Sequence, residues 1–321
     1  MIRLGSRRRA GVARSRQSGT VPSPTALAER RAHYSDFYDD PVTDGRRVVL
    51  SVGNCQAESL RIVLPDEALQ TVRIPPVHEL TTADLPALDA WLAHADVLVT
   101  QPIRDDYRGL PVGTSQLVAR MPQAAEAVVV PVIRFAGLYP RQAIIRPPSD
   151  PSLVPPVVPY HDLAVLLEAA GEELPALRRE SVLAVRDESI GQLRAREEAH
   201  RTVLVSDLFA RPDFAQMRTI NHPGNPIWLA VGQRVLDGLG VDAEVRDPGR
   251  PLLDAVHAPR EQVVIDAFGL DAPPVVSWTV NGRRIDVDTV RAAHLAWYAE
   301  HPDAVAAGLA RHRDVIGLLR A

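Results

Sequence analysis

The stretch Arg47-Val48-Val49-Leu50-Ser51-Val52-Gly53-Asn54-Cys55-Gln56 constrains the fold of this chain more than any other. A short, mostly β-branched apolar run breaks at Gly-Asn, and Ala57–Leu64 then reads as the first turns of a helix. Strand, tight turn and helix start make the corner that holds a side chain up at the carboxyl edge of a parallel sheet. The side chain held there is the only cysteine of the protein. A thiol at a helix N-terminus meets free backbone N–H groups and the positive end of the helix dipole, both of which favour thiolate.

The same pattern recurs along the chain. Strand one is expected at Arg47–Val52, a second strand at Gln70–Ile74, a third at Asp96–Thr100 and a fourth at Ala127–Ile133. Between them, Thr81-Thr82-Ala83-Asp84 can cap a helix over Leu85–Ala93, and Thr114–Met121 reads as another. Short buried strands alternating with helices predict an α/β fold, a doubly wound and mainly parallel sheet. Ligands bind such sheets outside the carboxyl ends of the strands. Three polar stretches stand at those ends: Gly53–Gln56, Gln101-Pro102-Ile103-Arg104 and Arg134-Phe135.

Outside this core, residues 1–25 are basic, with Gly, Ser and Pro and few large apolar residues. They read as a disordered tail, with a phosphate- or lipid-binding arm as the alternative. Ala26–Tyr38 forms an amphipathic helix ending in aromatics, either a docking helix or the wall of a ligand site. The domain reading is therefore a tail over 1–25, an α/β domain over 26–245 and a helical extension over 246–321. A helical insertion falls around 160–202, from Asp162–Gly171, Glu173–Val185 and Ile190–His200. The helix Ile227–Leu239 closes the α/β part, and helices near 287–300 and 302–320 close the chain and are candidates for a homodimer contact.

Composition excludes several classes. A net charge of −4 over 321 residues carries no nucleic-acid signature. One cysteine forbids an intramolecular disulfide and a cysteine-built metal site, and fits a reducing cytoplasm. No apolar run is long enough to cross a membrane, and no apolar segment follows Arg7-Arg8-Arg9 to make a signal peptide. The glycine fingerprints of dinucleotide and P-loop sites, the Gly-x-Ser-x-Gly elbow and histidine zinc motifs are all missing, so no metal is expected.

Chemistry at the corner needs partners. A lone cysteine is often an inert hydrophobe, but Cys55 stands at a turn suited to a nucleophile. Backbone N–H groups near Cys55 and Gln56, with the Asn54 amide, are candidate oxyanion donors, as is Gln101 at the end of strand three. Among ten histidines, His222 is set apart in the rigid loop Asn221-His222-Pro223-Gly224-Asn225-Pro226, immediately before a long helix. His78 and His161 compete for the role of base. Asp105, Asp106 and Asp207, or Asn221 as a neutral amide, are candidates to orient the histidine. Arg104, Arg108 and Arg134 lie near the same edge and suit phosphate or carboxylate ligands.

These blocks carry a resemblance. Val52-Gly53-Asn54-Cys55-Gln56-Ala57-Glu58-Ser59-Leu60 resembles the opening signature of the WcbI-type polysaccharide-biosynthesis acetyltransferases. Val99–Ile103 with Tyr107-Arg108, Pro131–Pro140, and Asn221-His222-Pro223 before an apolar helix resemble its later blocks, in order, over about residues 46–242. The resemblance implies a fold distantly similar to the Ser-Gly-Asn-His esterases, with cysteine in place of serine. It implies coenzyme A or acetyl-coenzyme A as ligand and acyl transfer to a sugar hydroxyl, with Cys55 as nucleophile, His222 as base and Gln101 in the oxyanion hole. Gly53, Arg104, Arg108 and Arg134 would then meet the coenzyme. The alternatives are a cysteine esterase or thioesterase on the same site, and a non-catalytic coenzyme A- or glycan-binding protein.

Overall fold

The computed structural model describes residues 24–321. The expected tail therefore lies outside the described residues, apart from Pro24 and Thr25, which open α1 (Pro24–His33). The single helix expected up to Tyr38 is broken at Tyr34, whose backbone leaves the helical region, and resumes as α2 (Ser35–Tyr38).

The sheet follows the alternating pattern of the sequence. In chain order come β1 (Arg47–Val52), α3 (Cys55–Val63), β2 (Leu69–Val72), α4 (Leu85–Leu92), β3 (Val97–Thr100), α5 (Thr114–Val118) and β4 (Glu126–Val129). The four strands are all parallel, in the order β2-β1-β3-β4. Strand side chains alternate between two cores. Val49, Val97 and Val99 pack with Leu60, Val63 and Trp228 on one face. Val48, Leu50, Val52 and Leu98 pack with Phe37, Leu88, Trp91 and Leu117 on the other. The sheet is thus doubly wound, and each aliphatic side chain sealed in these layers contributes about 1.5–3 kcal/mol. Because the chain leaves β1 toward one edge and reaches β3 on the other side, the crevice opens at the carboxyl ends of these two neighbours.

Three expectations change. The fourth strand pairs only over Glu126–Val129. Pro131 has no N–H for the ladder, and the Ile133 N–H donates instead to the side chain of Gln56. The middle region opens with the paired strands β5 (Gln142–Ala143) and β6 (His161–Asp162) and continues into α6 (Leu163–Ala169) and α7 (Arg179–His200). Residues 173–178, expected to begin a helix, are not helical; Pro175 biases Leu174 toward extended backbone. After α7 come β7 (Met217–Thr219), its partner β8 (His222–Pro223) and α8 (Asn225–Gly238).

The extension over 246–321 is not helical throughout. β9 (Val256–His257), β10 (Ser277–Val280) and β11 (Arg283–Asp286) form an antiparallel sheet, with α9 (Gln262–Phe268) between the first two. Asn281 and Gly282 turn the hairpin with positive φ at both positions, 48° and 77°, the tight turn that an Asn-Gly pair favours. Val264, Ile265, Trp278 and Val290 share the core of Val49 and Trp228. The last helices, α10 (Val287–Glu300), α11 (Pro302–Arg311) and α12 (Arg313–Arg320), pack through Tyr298, Ala304 and Ile316 on α6 and α7. No helix among the described residues is long and apolar enough to cross a membrane.

Candidate active site

Cys55 opens α3 directly after β1, with Asn54 as N-cap; the Asn54 Oδ1 accepts the Gln56 N–H at 2.9 Å. This cap satisfies one of the four unpaired N–H groups of the first turn. Gly53 is required by what approaches it: a Cβ there would lie 2.6 Å from Oε1 of Gln101. The same oxygen accepts the Asn54 N–H at 2.9 Å, which stitches the end of β1 to the end of β3.

Gln56 holds the rest together. Its side chain, 1% exposed, accepts from the Ile133 N–H at 2.9 Å and donates to the carbonyls of Ile133 at 2.8 Å and Asn221 at 2.9 Å. Its oxygen also takes the Gln101 amide at 3.3 Å. One residue from the thiol, this amide binds the chain one residue from His222. The Cys55 turn and the Asn221-His222 loop, 165 residues apart, are neighbours by that bond. The Gln56 N–H, expected as an oxyanion donor, is taken by Asn54, and the Gln101 amide, also expected as one, donates to Gln56. The Asn54 side-chain N–H groups take no partner among the described residues and remain open donors beside Arg104 in a pocket of about 330 Å³.

The thiol is partly exposed and makes no hydrogen bond among the described residues. Burial raises its pKa; the N–H groups of Cys55 and Gln56 pull against that, and the carboxylate of Glu79 adds to it. Cys55 therefore rests as a thiol and needs a base to act as a nucleophile.

His222 has the character of such a base. Burial, reinforced by the positive charge of Arg218, lowers its pKa to about 4, so the ring is neutral near pH 7. Its tautomer follows from a count of protons. The Tyr160 hydroxyl donates to Oδ1 of Asn221 at 2.7 Å and accepts from Thr219 at 2.9 Å. A phenol has one proton to give, so Nε2 of His222, 3.2 Å from the same oxygen, meets it as an N–H donor. Nδ1 then carries the lone pair, and that atom is buried without a partner among the described residues.

The carboxylates proposed to orient this ring do not reach it. Asp207 is held by both guanidinium nitrogens of Arg234 at 2.7 Å. Asp105 accepts from Ser115, and Asp106 from Gln116 at 2.8 Å. Asn221 does act on His222, through Tyr160. The competing histidine His161 is a core residue, 0% exposed, bound to the Tyr298 hydroxyl at 2.5 Å and lowered to about 3 by burial. His78 is exposed and lines the Arg104 pocket.

The arginines fall into separate groups. Arg104 lines the Asn54 pocket, and Arg108 donates to the His78 carbonyl at 2.6 Å. Arg134 has other neighbours: Arg146, Arg196 and Arg311 oppose its charge. The pocket that contains Cys55, about 400 Å³, is lined instead by Arg61, Arg73 and Arg250, with Tyr34 and the single carboxylate of Glu58. Glu58 holds Arg61 at 2.7 Å and Arg73 at 3.1 Å, and Arg250 is unpaired among the described residues. These three arginines and Tyr160 were not singled out in the sequence. Arg61 alone had a signal, as the i+3 partner of Glu58 one turn beyond Cys55.

The lowered pKa values of His222 and His161 predict acid sensitivity. The unfolded chain binds a proton on each near pH 6.5, whereas the folded chain resists doing so until about 4 for His222 and about 3 for His161. Stability is therefore full above the unfolded value and falls as pH drops below it. For His222 the loss approaches about 3 kcal/mol. Urea midpoints should drop steadily from pH 7 to pH 4, less steeply in His222→Gln; a flat profile would contradict the burial of these rings.

The model of the polysaccharide biosynthesis enzyme WcbI family matches residues 48–244, which is more than half of the chain. The chain belongs to this family. Family members are thus described as enzymes of polysaccharide biosynthesis, and the matched region runs from β1 through α8, including Cys55 and His222. A solved WcbI structure superposes with a TM-score of 0.70 at 18% identity, covering 86% of this chain and 98% of that one. It is described as the native protein without a disulfide bond between coenzyme A and a cysteine. At that identity the likeness establishes the shared α/β fold. A search of curated proteins found no match.

Proposed function

We propose that the protein is an acyltransferase that moves an acyl group, such as acetyl, from coenzyme A to a sugar hydroxyl in glycan biosynthesis. The observation that carries this reading is Cys55 at the N-terminus of α3, in a pocket bearing three guanidinium groups against one carboxylate. Such a pocket suits a thioester whose other end carries phosphates. The family description supports a substrate in polysaccharide synthesis, and the related structure's mention of coenzyme A and a cysteine supports the coenzyme.

In this reading His222 accepts the thiol proton through Nδ1, and Sγ of Cys55 attacks the thioester carbonyl. Coenzyme A leaves as a thiolate and takes a proton, and the acyl group rests on Cys55. An acceptor hydroxyl then attacks the acyl-cysteine while His222 removes its proton, and Cys55 is released as the thiol. The Cys55 N–H, left free in the first turn of α3, and the Asn54 amide stabilise the oxyanion of both steps. Arg61, Arg73 and Arg250 bind the coenzyme phosphates, with Arg104 and Arg134 as outer contacts.

Coenzyme A should raise the melting temperature in a concentration-dependent way, as any ligand of the folded state does. Arg250→Ala, an exposed change, should weaken that binding roughly tenfold, the loss of one charge-assisted contact worth about 1.4 kcal/mol. No stabilisation by coenzyme A or acetyl-coenzyme A in the wild-type chain would refute the reading.

A further inference from the structure

A second concavity, a cleft of about 280 Å³, has Tyr160 in its lining but neither Cys55 nor His222. One wall is the Tyr160 ring, stacked on Trp278 with centroids 5.9 Å apart and planes 12° from parallel. Asp162, Glu168, Glu261 and Asp288 line it against only Arg141 and Arg291. Both arginines are paired: Arg141 binds Glu261 at 3.0 Å, and Arg291 binds Glu168 at 2.8 Å. Among the described residues, the buried Oε1 of Gln142 in the lining has no hydrogen-bond partner, and Nε of Arg141 has only the Asp162 carboxylate, 3.8 Å away. Glu261, Trp278, Asp288 and Arg291 all lie beyond residue 244, where the family match ends.

These features define a ligand. Carboxylates and an amide oxygen without a partner ask for hydroxyl donors. Apolar surface from Ala164, Val165 and Val290 between them suits the faces of a ring. An excess of carboxylates repels phosphates and uronates, including coenzyme A itself. Tyr160 connects this cleft to the chemistry: its ring forms the wall, and its hydroxyl fixes the tautomer of His222.

We propose that this cleft is the acceptor site, and that it takes a hydroxyl-rich ring without anionic groups, a neutral sugar. The acceptor role rests on the acyl-transfer reading; the ligand class rests on the cleft alone. The two substrates are then sorted by charge, the anionic coenzyme to the arginine-lined thiol pocket and the neutral sugar to the carboxylate-lined cleft.

The full chain should be titrated with methyl glucoside, methyl galactoside, methyl mannoside, N-acetylglucosamine, a hexose phosphate and glucuronate, with binding read by saturation-transfer NMR. At least one neutral sugar should bind saturably, and the two anions at least roughly tenfold more weakly. Glu168→Arg and Asp288→Lys, both exposed changes, should weaken the neutral sugar and narrow its advantage over the anions. The proposal falls if no neutral sugar binds, if the anions bind as well, if the charge reversals change nothing, or if coenzyme A displaces the sugar. Stabilisation by coenzyme A, measured alongside, separates the two claims. Sugar binding without it would leave the cleft standing and remove the acyl-transfer reading; the reverse result would remove the cleft.

Discussion

Cys55→Ala is expected to lower acyl transfer from acetyl-coenzyme A by ~10⁴-fold or more, the scale seen when a covalent nucleophile is removed, while the fold stays intact. The thiol makes no hydrogen bond among the described residues and is partly exposed, so its loss strands none of their buried groups. Cys55→Ser should not restore the rate. A serine hydroxyl is far less acidic than a thiol, and no hydrogen bond to His222 is in place to offset the difference. The intermediate gives an independent readout. Wild-type protein mixed with acetyl-coenzyme A and no acceptor should gain one acetyl mass on the peptide containing Cys55, and the alanine variant should not. If the alanine variant turns over at the wild-type rate, the acyl group passes directly to the acceptor with His222 as the base, and the covalent step is wrong.

The sheet and the positions of Cys55 and His222, the two residues proposed to react, were legible because each has a local cause. Val48–Val52 followed by Gly53 writes a strand and a turn into consecutive residues, and the Asn54 cap fixes where α3 begins. Asn221-His222-Pro223 stands out by its placement before a long helix. What joins them was not legible. Gln56 reaches Asn221 across 165 residues, and a buried glutamine in sequence looks like any polar residue in a first helical turn. Tyr160, which sets the tautomer of His222, follows a Pro-rich stretch with no periodicity at all. The carboxylates considered for that role were drawn from type alone, and each is occupied by a closer partner.

The C-terminal region shows a different limit. The Asn281-Gly282 turn between two β-prone runs was a local hairpin signal, and the reading of the region as helical passed over it. The arginines of the thiol pocket come from α3, the segment after β2 and the loop before β9. Their convergence depends on how those elements pack, and the arginines named from sequence were chosen for proximity to strand ends.

The largest effect on stability is expected at Gln56. Gln56→Leu keeps a similar volume but strands the Ile133 N–H and the carbonyls of Ile133 and Asn221 in a region where the side chain is 1% exposed. Swapping both members of a hydrogen bond for apolar groups can be nearly neutral, but here the partners are backbone and cannot be swapped. Each stranded group costs about 1–3 kcal/mol, so the variant should lose several kcal/mol out of a total of roughly 5–15. Ser59→Ala, also on α3 and 3% exposed, removes only a 3.4 Å bond to the Cys55 carbonyl and should cost about 1 kcal/mol or less. Urea unfolding of the pair separates loss of the scaffold from ordinary repacking of α3. A Gln56→Leu midpoint close to that of Ser59→Ala would mean that the loop bearing His222 is held by its own packing. In that case the bond between the two halves of the site would be a consequence of the fold, and the folded variant should retain full binding of coenzyme A.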